Sequence, residues 1–285
     1  MTLWMYTTDD KKFKVPYVKY IVIGIILGIG ILMKGSVGIL IVALLMHLLL
    51  KNIRNIRYVF LTIMVIVGIS SMWNIYIKNC SWIDMSNDSE LQFPVTHFVM
   101  IGMNREVNGH FTVGDFQYTD QYSSKAEKQK ANIERIKQRI VNCGSLDTFG
   151  EYMFSKAADI WFEGQYMQDA HIGWGIEKGK VYDGLIAGRK YNNLYKIYIQ
   201  VFTFTMHVFC VVGGLFSIKR PKEDFAMLFR LIMLGVMVFF MLWETNSRYI
   251  LNFTPVFMLT AIYGADKIEE YFNTKNKDYL NTYEI

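Results

Sequence analysis

The sequence predicts a mainly α, polytopic membrane protein with about six spans and a mostly helical exterior domain. Three observations carry that expectation. Hydrophobic residues make up 52% and aromatic residues 15% of the 285, with only 4 prolines and a mean hydropathy of +0.20, which is too apolar for an ordinary soluble domain. Long apolar runs gather toward both ends of the chain. Between them, residues 78–198 form a polar stretch of 121 residues in which no apolar run reaches spanning length.

Residues 1–19 read as a cytoplasmic tail: they are polar, carry Lys11, Lys12, Lys14 and Lys19, and lack the apolar core of a cleavable signal. Residues 20–77 hold the first three transmembrane segments. Tyr20–Leu50 would be about 46 Å long as one helix, well beyond a hydrocarbon core of about 30 Å. It is therefore read as two short segments, Tyr20–Met33 and Val37–Leu50, hinged at Lys34-Gly35-Ser36. Tyr58–Ile77 is the third. After the polar stretch, residues 199–264 supply segments at Ile199–Phe216, Phe225–Leu242 and Ile250–Gly264, and residues 265–285 form a second tail.

Orientation follows from basic residues in the short loops. With six spans, thirteen of them fall on one side: the four N-terminal lysines; Lys51, Arg54 and Arg57; Lys219, Arg220 and Lys222; and Lys267, Lys275 and Lys277. The short opposite loops hold only Lys34 and Arg248. Both termini are expected in the cytoplasm, with residues 78–198 outside; a single span over Tyr20–Leu50 would put Lys51, Arg54 and Arg57 outside instead.

Within the exterior region, Ser124-Lys-Ala-Glu127 is a capping box opening a surface helix over Lys125–Val141. Its Ile133, Ile136 and Ile140 recur at helical spacing, and Gly144 marks its end. Leu146–Trp161 places Phe149, Tyr152, Met153, Ala157, Ile160 and Trp161 on roughly one face, which suits either a helix covering its own small domain or one lying at the membrane interface. Tyr191, Tyr195 and Tyr198 lead into the fourth span as an aromatic belt does.

The chain has no Gly-rich phosphate loop, His-Glu-x-x-His, Gly-x-Ser-x-Gly or Cys-x-x-Cys, so nucleotide hydrolases, zinc proteases and thiol redox enzymes lack their usual signals. Cys80 and Cys143 share the exterior region, where a disulfide and free thiols are both open; Cys210 reads as packing within a span. The 17 methionines read as apolar filler rather than a metal site.

Two polar stretches carry the candidate chemistry. In Trp243-Glu244-Thr245-Asn246-Ser247-Arg248-Tyr249, a carboxylate and a guanidinium stand four residues apart between two apolar runs. Charges there are costly unless they meet water or another charge. Two readings are open: a polar turn held by a Glu244–Arg248 pair, and a ligand site in which Arg248 grips phosphate beside a helix broken at Pro255. In Phe93–Phe116, His97, Asn104, Asn108, His110, Asp115 and several glycines crowd into a loop starting beside the membrane. That composition suits turns, and equally suits gripping sugar hydroxyls and phosphates.

The order Gly28-Ile-Gly-Ile-Leu-Met-Lys34-Gly35, Pro94-Val-Thr-His97-Phe-Val-Met-Ile-Gly102-Met-Asn104, Asn108-Gly109, Asp115, Trp161-Phe-Glu-Gly164 and Glu244-x-x-x-Arg248-Tyr249 resembles the C-terminal half of the GT-C superfamily. Within it, the chain is most similar to family-39-like membrane glycosyltransferases of Gram-positive bacteria. The resemblance implies a polyprenyl-phosphate sugar donor, an exterior cell-envelope acceptor, and a multi-pass protein of the bacterial plasma membrane in contact with lipid, with no nucleotide or nucleic acid required; a metal is possible within the superfamily, but no ligand set in this chain compels one, and no cofactor is expected. By the same resemblance Lys34 and Arg248 neutralise the donor phosphate, Glu244 orients Arg248, Tyr249 completes the motif, and His97, Asn104 and Asp115 frame the sugar or acceptor. The superfamily's catalytic base is an acidic residue in an early exterior loop. No counterpart exists here, since Asp9 and Asp10 fall on the cytoplasmic side. The expectation is a C-terminal segment or split enzyme with a companion chain, and no catalytic residue is assigned. The alternatives are a non-catalytic subunit that binds a lipid-linked sugar, or a degenerate fragment, and a lipid-sugar flippase or transporter, the last disfavoured because no internal repeat is visible.

Overall fold

The computed structural model describes residues 6, 16–80, 92–164, 166–167, 179, 184–185, 190–218 and 224–283. Among the described residues there are ten α-helices and three 3₁₀ segments, and no strand. The chain separates into two units, residues 1–92 with 221–239, and residues 93–220 with 240–285.

In the first unit, α1 (Pro16–Met33) and α2 (Val37–Lys51) are separated at the expected break, where Lys34 N still donates to Gly30 O and Val37 N bonds back to Lys34 O. A short 3₁₀ turn, Ile53–Asn55, leads to α3 (Ile56–Lys78). α1 lies close against α3 because its glycines present no side chain there. A Cβ on Gly24 would stand 2.9 Å from Val65 Cβ, and one on Gly28 would stand 3.0 Å from Ile69 Cβ, the close approach that small residues allow between apolar helices. Tyr20 and Tyr58 stack at 4.3 Å, and the Arg57 guanidinium lies 4.8 Å from the Tyr58 ring. On its outer side α3 exposes Phe60, Met64, Val67 and Met72. Most of α9 (Asp224–Leu242) belongs to this unit.

The second unit begins with a polar helical region: α4 (Val95–Gly102), α5 (Val113–Asp120), α6 (Lys125–Val141) and α7 (Leu146–Trp161). The Ser124–Glu127 capping box is formed in both directions. The face α6 buries differs from the expected one. Ile133 and Ile140 are exposed, whereas Lys128, Asn132 and Cys143 are buried and Arg139 nearly so. These positions, with Ile136, recur at helical spacing, and the helix turns this face inward because its polar groups find partners on α4 and α5. In α7 the packed alternative holds: Tyr152 and Met153 cluster with Met103, Ile136 and Phe149.

Two long helices complete this unit, α8 (Asn192–Ile218) and α10 (Thr254–Tyr283). They approach to backbone contact: a Cβ on Gly264 would collide with Phe209 O, and one on Gly213 would lie 2.9 Å from Thr260 O. Trp161 at the end of α7 packs at 5.6 Å from both His207 and Phe257.

Two stretches, Ile53–Lys78 and Asn192–Phe216, are long and apolar enough to cross a membrane; Tyr17–Met33, Val37–Lys51 and Ala226–Leu242 are shorter apolar helices. The expected sixth segment is built differently. Ser247–Phe253 is 3₁₀, and α10 starts only at Thr254, with Pro255 in its first turn where the missing N–H costs no bond. α10 then runs on past Gly264 into polar sequence. Cys80 and Cys143 are free thiols. Lys11, Lys12, Lys14, Lys219, Arg220 and Lys222, which carry much of the charge-bias argument, and Asp9 and Asp10 lie outside the described residues.

Candidate functional site

The Trp243–Tyr249 stretch follows α9 and is held along its length by other residues of the second unit. Lys156 of α7 is 1% exposed and aims its ammonium at three carbonyls: Gly102 O and Trp243 O at 2.6 Å, and Met241 O at 3.1 Å. The Tyr152 hydroxyl also donates to Gly102 O at 2.6 Å. Gly102 is small of necessity, since a Cβ there would collide with the carbonyls of Leu242 and Trp243. Burial lowers the Lys156 pKa to about 7, and the Glu244 carboxylate opposes that fall.

Thr245 is fixed next. Its N–H donates to Gly109 O at 2.8 Å and its hydroxyl to Asn108 O at 2.7 Å. Asn108 and Gly109 both take positive φ, 53° and 76°, and a Cβ on Gly109 would stand 2.6 Å from Thr245 Oγ1. Only glycine meets both demands there. Ser247 donates to Glu163 Oε2, while Glu163 Oε1 accepts from Met167 N at 3.1 Å.

Glu244 and Tyr249 form a pair inside this loop. Glu244 is buried, and its Oε1 accepts from the Tyr249 hydroxyl at 2.5 Å. Burial and then Glu244 push the Tyr249 pKa up to about 12, so its hydroxyl remains a donor. Arg248 is exposed, with its guanidinium 5.6 Å from the Tyr249 ring and a side-chain hydrogen bond to the same tyrosine. Tyr249 thus links the carboxylate of Glu244 to the guanidinium of Arg248.

His97, Asn104 and Asp115 lie in a buried polar network. His97 Nδ1 meets Thr119 Oγ1 at 2.8 Å, Thr119 donates to Asn132 Oδ1 at 2.9 Å, and the His97 ring stacks on Phe93 at 4.4 Å. Burial lowers the His97 pKa, against the pull of Asp115. Asn104 Nδ2 donates to Asp115 Oδ2 at 2.8 Å; Arg139 donates to Asp115 Oδ1 and Met100 O, each at 2.5 Å. Both oxygens of Asp115 are engaged. The site residues of this unit therefore fall into two groups, His97–Asn104–Asp115 inside the helical region and Glu244–Arg248–Tyr249 in the loop. Lys34 belongs to the first unit and is exposed at the break between α1 and α2.

The sequence singled out none of Lys156, Arg139 and Asn132, and Thr245 and Glu163 stood inside the quoted stretches with no role of their own. A signal existed for two of them: Lys156 interrupts the Tyr152–Met153–Ile160 stripe, and Arg139 lies one turn beyond Ile136. The carbonyl partners that justify their burial come from distant segments and leave no local trace.

The family model for a conserved hypothetical integral membrane protein matches residues 1–268. No curated protein and no solved structure matches the chain.

Proposed function

Because the chain belongs to this conserved hypothetical integral membrane protein family, we propose that it works on a lipid carrier in the membrane, serving transfer of a sugar from a polyprenyl-phosphate donor to an exterior cell-envelope acceptor. The observation that carries this reading is Arg248. It is exposed at the start of the segment leading into α10, in a stretch whose neighbours are pinned by Lys156, Thr245, Ser247 and the Glu244–Tyr249 pair. A guanidinium on a backbone held this way is pre-positioned for two phosphate oxygens, so little ordering cost remains at binding.

In the transfer step the acceptor oxygen forms a bond to the anomeric carbon, the bond from that carbon to the phosphate oxygen breaks, and the electron pair leaves on the phosphate. Arg248 stabilises the charge that develops there, while the acceptor's proton passes to a base. A second reading, binding of a lipid-linked sugar without transfer, is favoured by the engagement of Asp115 and Glu244 in internal contacts. Turnover by the purified chain, measured with no second chain present, is the discriminating measurement: sustained transfer supports an enzyme that carries its own base, and binding without transfer supports either the subunit or one half of a split enzyme.

The direct test is polyprenyl-phosphate binding by detergent-solubilised Arg248→Lys and Arg248→Ala, with thermal stability measured on the same samples. A point charge replaces a fork in the first variant and nothing replaces it in the second. Affinity is expected to fall in that order, the full loss being about 1.5–3 kcal/mol. Unchanged affinity with lowered stability would make Arg248 a turn residue and remove the reading.

A further inference from the structure

A cavity of about 510 Å³ opens in the second unit beside the turn after α4, apart from the Glu244–Tyr249 loop. The residues that line it include Arg105, Arg135 and Arg139, the amide residues Asn104, Gln138 and Asn142, and one acid, Glu106. Arg139 already neutralises Asp115 at 2.5 Å. Arg105 and Arg135 have no carboxylate partner among the described residues, so the lining residues include two further arginines against a single acid. Such positive charge, gathered in a concave site and left uncompensated, is unfavourable until an anion enters.

Both guanidiniums start from fixed supports. Arg105 opens a 3₁₀ turn, Arg105–Val107, that closes through Asn108 N to Arg105 O at 3.2 Å and Gly109 N to Asn104 O at 2.8 Å. The left-handed Asn108 and Gly109 hold that turn. Arg135 stands on α6 with its guanidinium 5.3 Å from the Tyr118 ring, an arrangement that orients the planar group and leaves its edge N–H donors available. Gln138 on α6 and Asn142 at its C-cap add amides able to donate to and accept from hydroxyls.

We propose that this cavity binds an oxyanion carried on a polyhydroxylated molecule, the phosphate of a polyol phosphate or the carboxylate of a uronic acid, with Arg105 and Arg135 holding the anion and Gln138 and Asn142 the hydroxyls. Glu106 opposes the anion and sets a limit on affinity. The site is independent of the lipid-phosphate reading of Arg248, and the two stand or fall separately.

The test is titration of the purified full chain in detergent with glycerol phosphate and, in parallel, galacturonate. Wild type is expected to bind at least one of them, more weakly as salt rises. Arg105→Ala and Arg135→Ala should each weaken binding about tenfold, Glu106→Gln should tighten it, and Arg248→Ala should leave it unchanged. Preference for glycerol phosphate assigns the phosphate, and the reverse order assigns the uronate. Absence of binding by wild type, or equal binding by all variants at equal thermal stability, overturns the proposal. The rise in affinity in Glu106→Gln has no counterpart in a purely structural role, so the result stays decisive even if one arginine variant folds poorly.

Discussion

Lys156 stands where the periodicity of α7 calls for an aliphatic side chain, and its three carbonyl partners explain why a lysine is kept there. Lys156→Met preserves volume but leaves Gly102 O and Trp243 O without these donors, and should cost about 1–3 kcal/mol of stability in thermal or chemical unfolding. The pH dependence has a definite sign. The unfolded lysine holds its proton up to about 10.5 and the folded one releases it at about 7. Between those values the unfolded state binds more protons, so this residue's contribution makes stability rise with pH, by at most about 1.4 kcal/mol per pH unit. The difference in unfolding free energy between wild type and Lys156→Met should grow across that window; a constant difference would mean that Lys156 titrates alike in both states. Glu244 and Arg248 were legible in the sequence because charges between apolar runs are costly wherever they fold. Lys156 was not, because a lysine on an amphipathic helix ordinarily faces water, and its partners lie 54 to 87 positions away.

The ends and breaks of helices followed closely from local chemistry. The Ser124 capping box, the break at Lys34–Ser36 and the limits of Leu146–Trp161 all formed as expected. Which face a helix buries did not follow. α6 turns Lys128, Asn132 and Arg139 inward and leaves two of its three isoleucines out, because hydrogen bonds to α4 and α5 outweigh the burial of two methyl-rich side chains. The pairing of α8 with α10 has a similar origin, as Gly213 and Gly264 permit contact between backbones that any side chain would separate. Gly264→Ala should therefore destabilise the second unit by about 1–3 kcal/mol through overpacking. Gly214→Ala, where an added Cβ meets nothing within 4 Å, should be tolerated or mildly stabilising, since alanine is the better helix former. Thermal melts of the two variants in one detergent check the contrast, and equal effects would mean that the helices separate without strain.

At the scale of the whole molecule, the proposed topology, both termini cytoplasmic and residues 78–198 outside, rests on the thirteen basic residues of the inner segments. Cysteines placed at Ser123 and Asn273, with Cys80, Cys143 and Cys210 replaced by alanine, test it with a membrane-impermeant thiol reagent. Label should enter position 123 and not position 273 in intact cells, and the opposite pattern would invert the protein. The sequence by itself determined that this is a helical membrane protein with a large polar helical insertion, because apolar run length, caps and glycine breaks act over a few residues and need no partner to be read. Tertiary structure alone decided that the last apolar run opens as a 3₁₀ segment before α10, that Glu244 is held by Tyr249 inside a loop supported by Lys156 and Thr245, and that Asp115 is spent on Arg139 and Asn104. The physical reason is common to all three. A buried polar group settles where its hydrogen bonds can be completed, and the groups that complete them come from segments far apart in the chain.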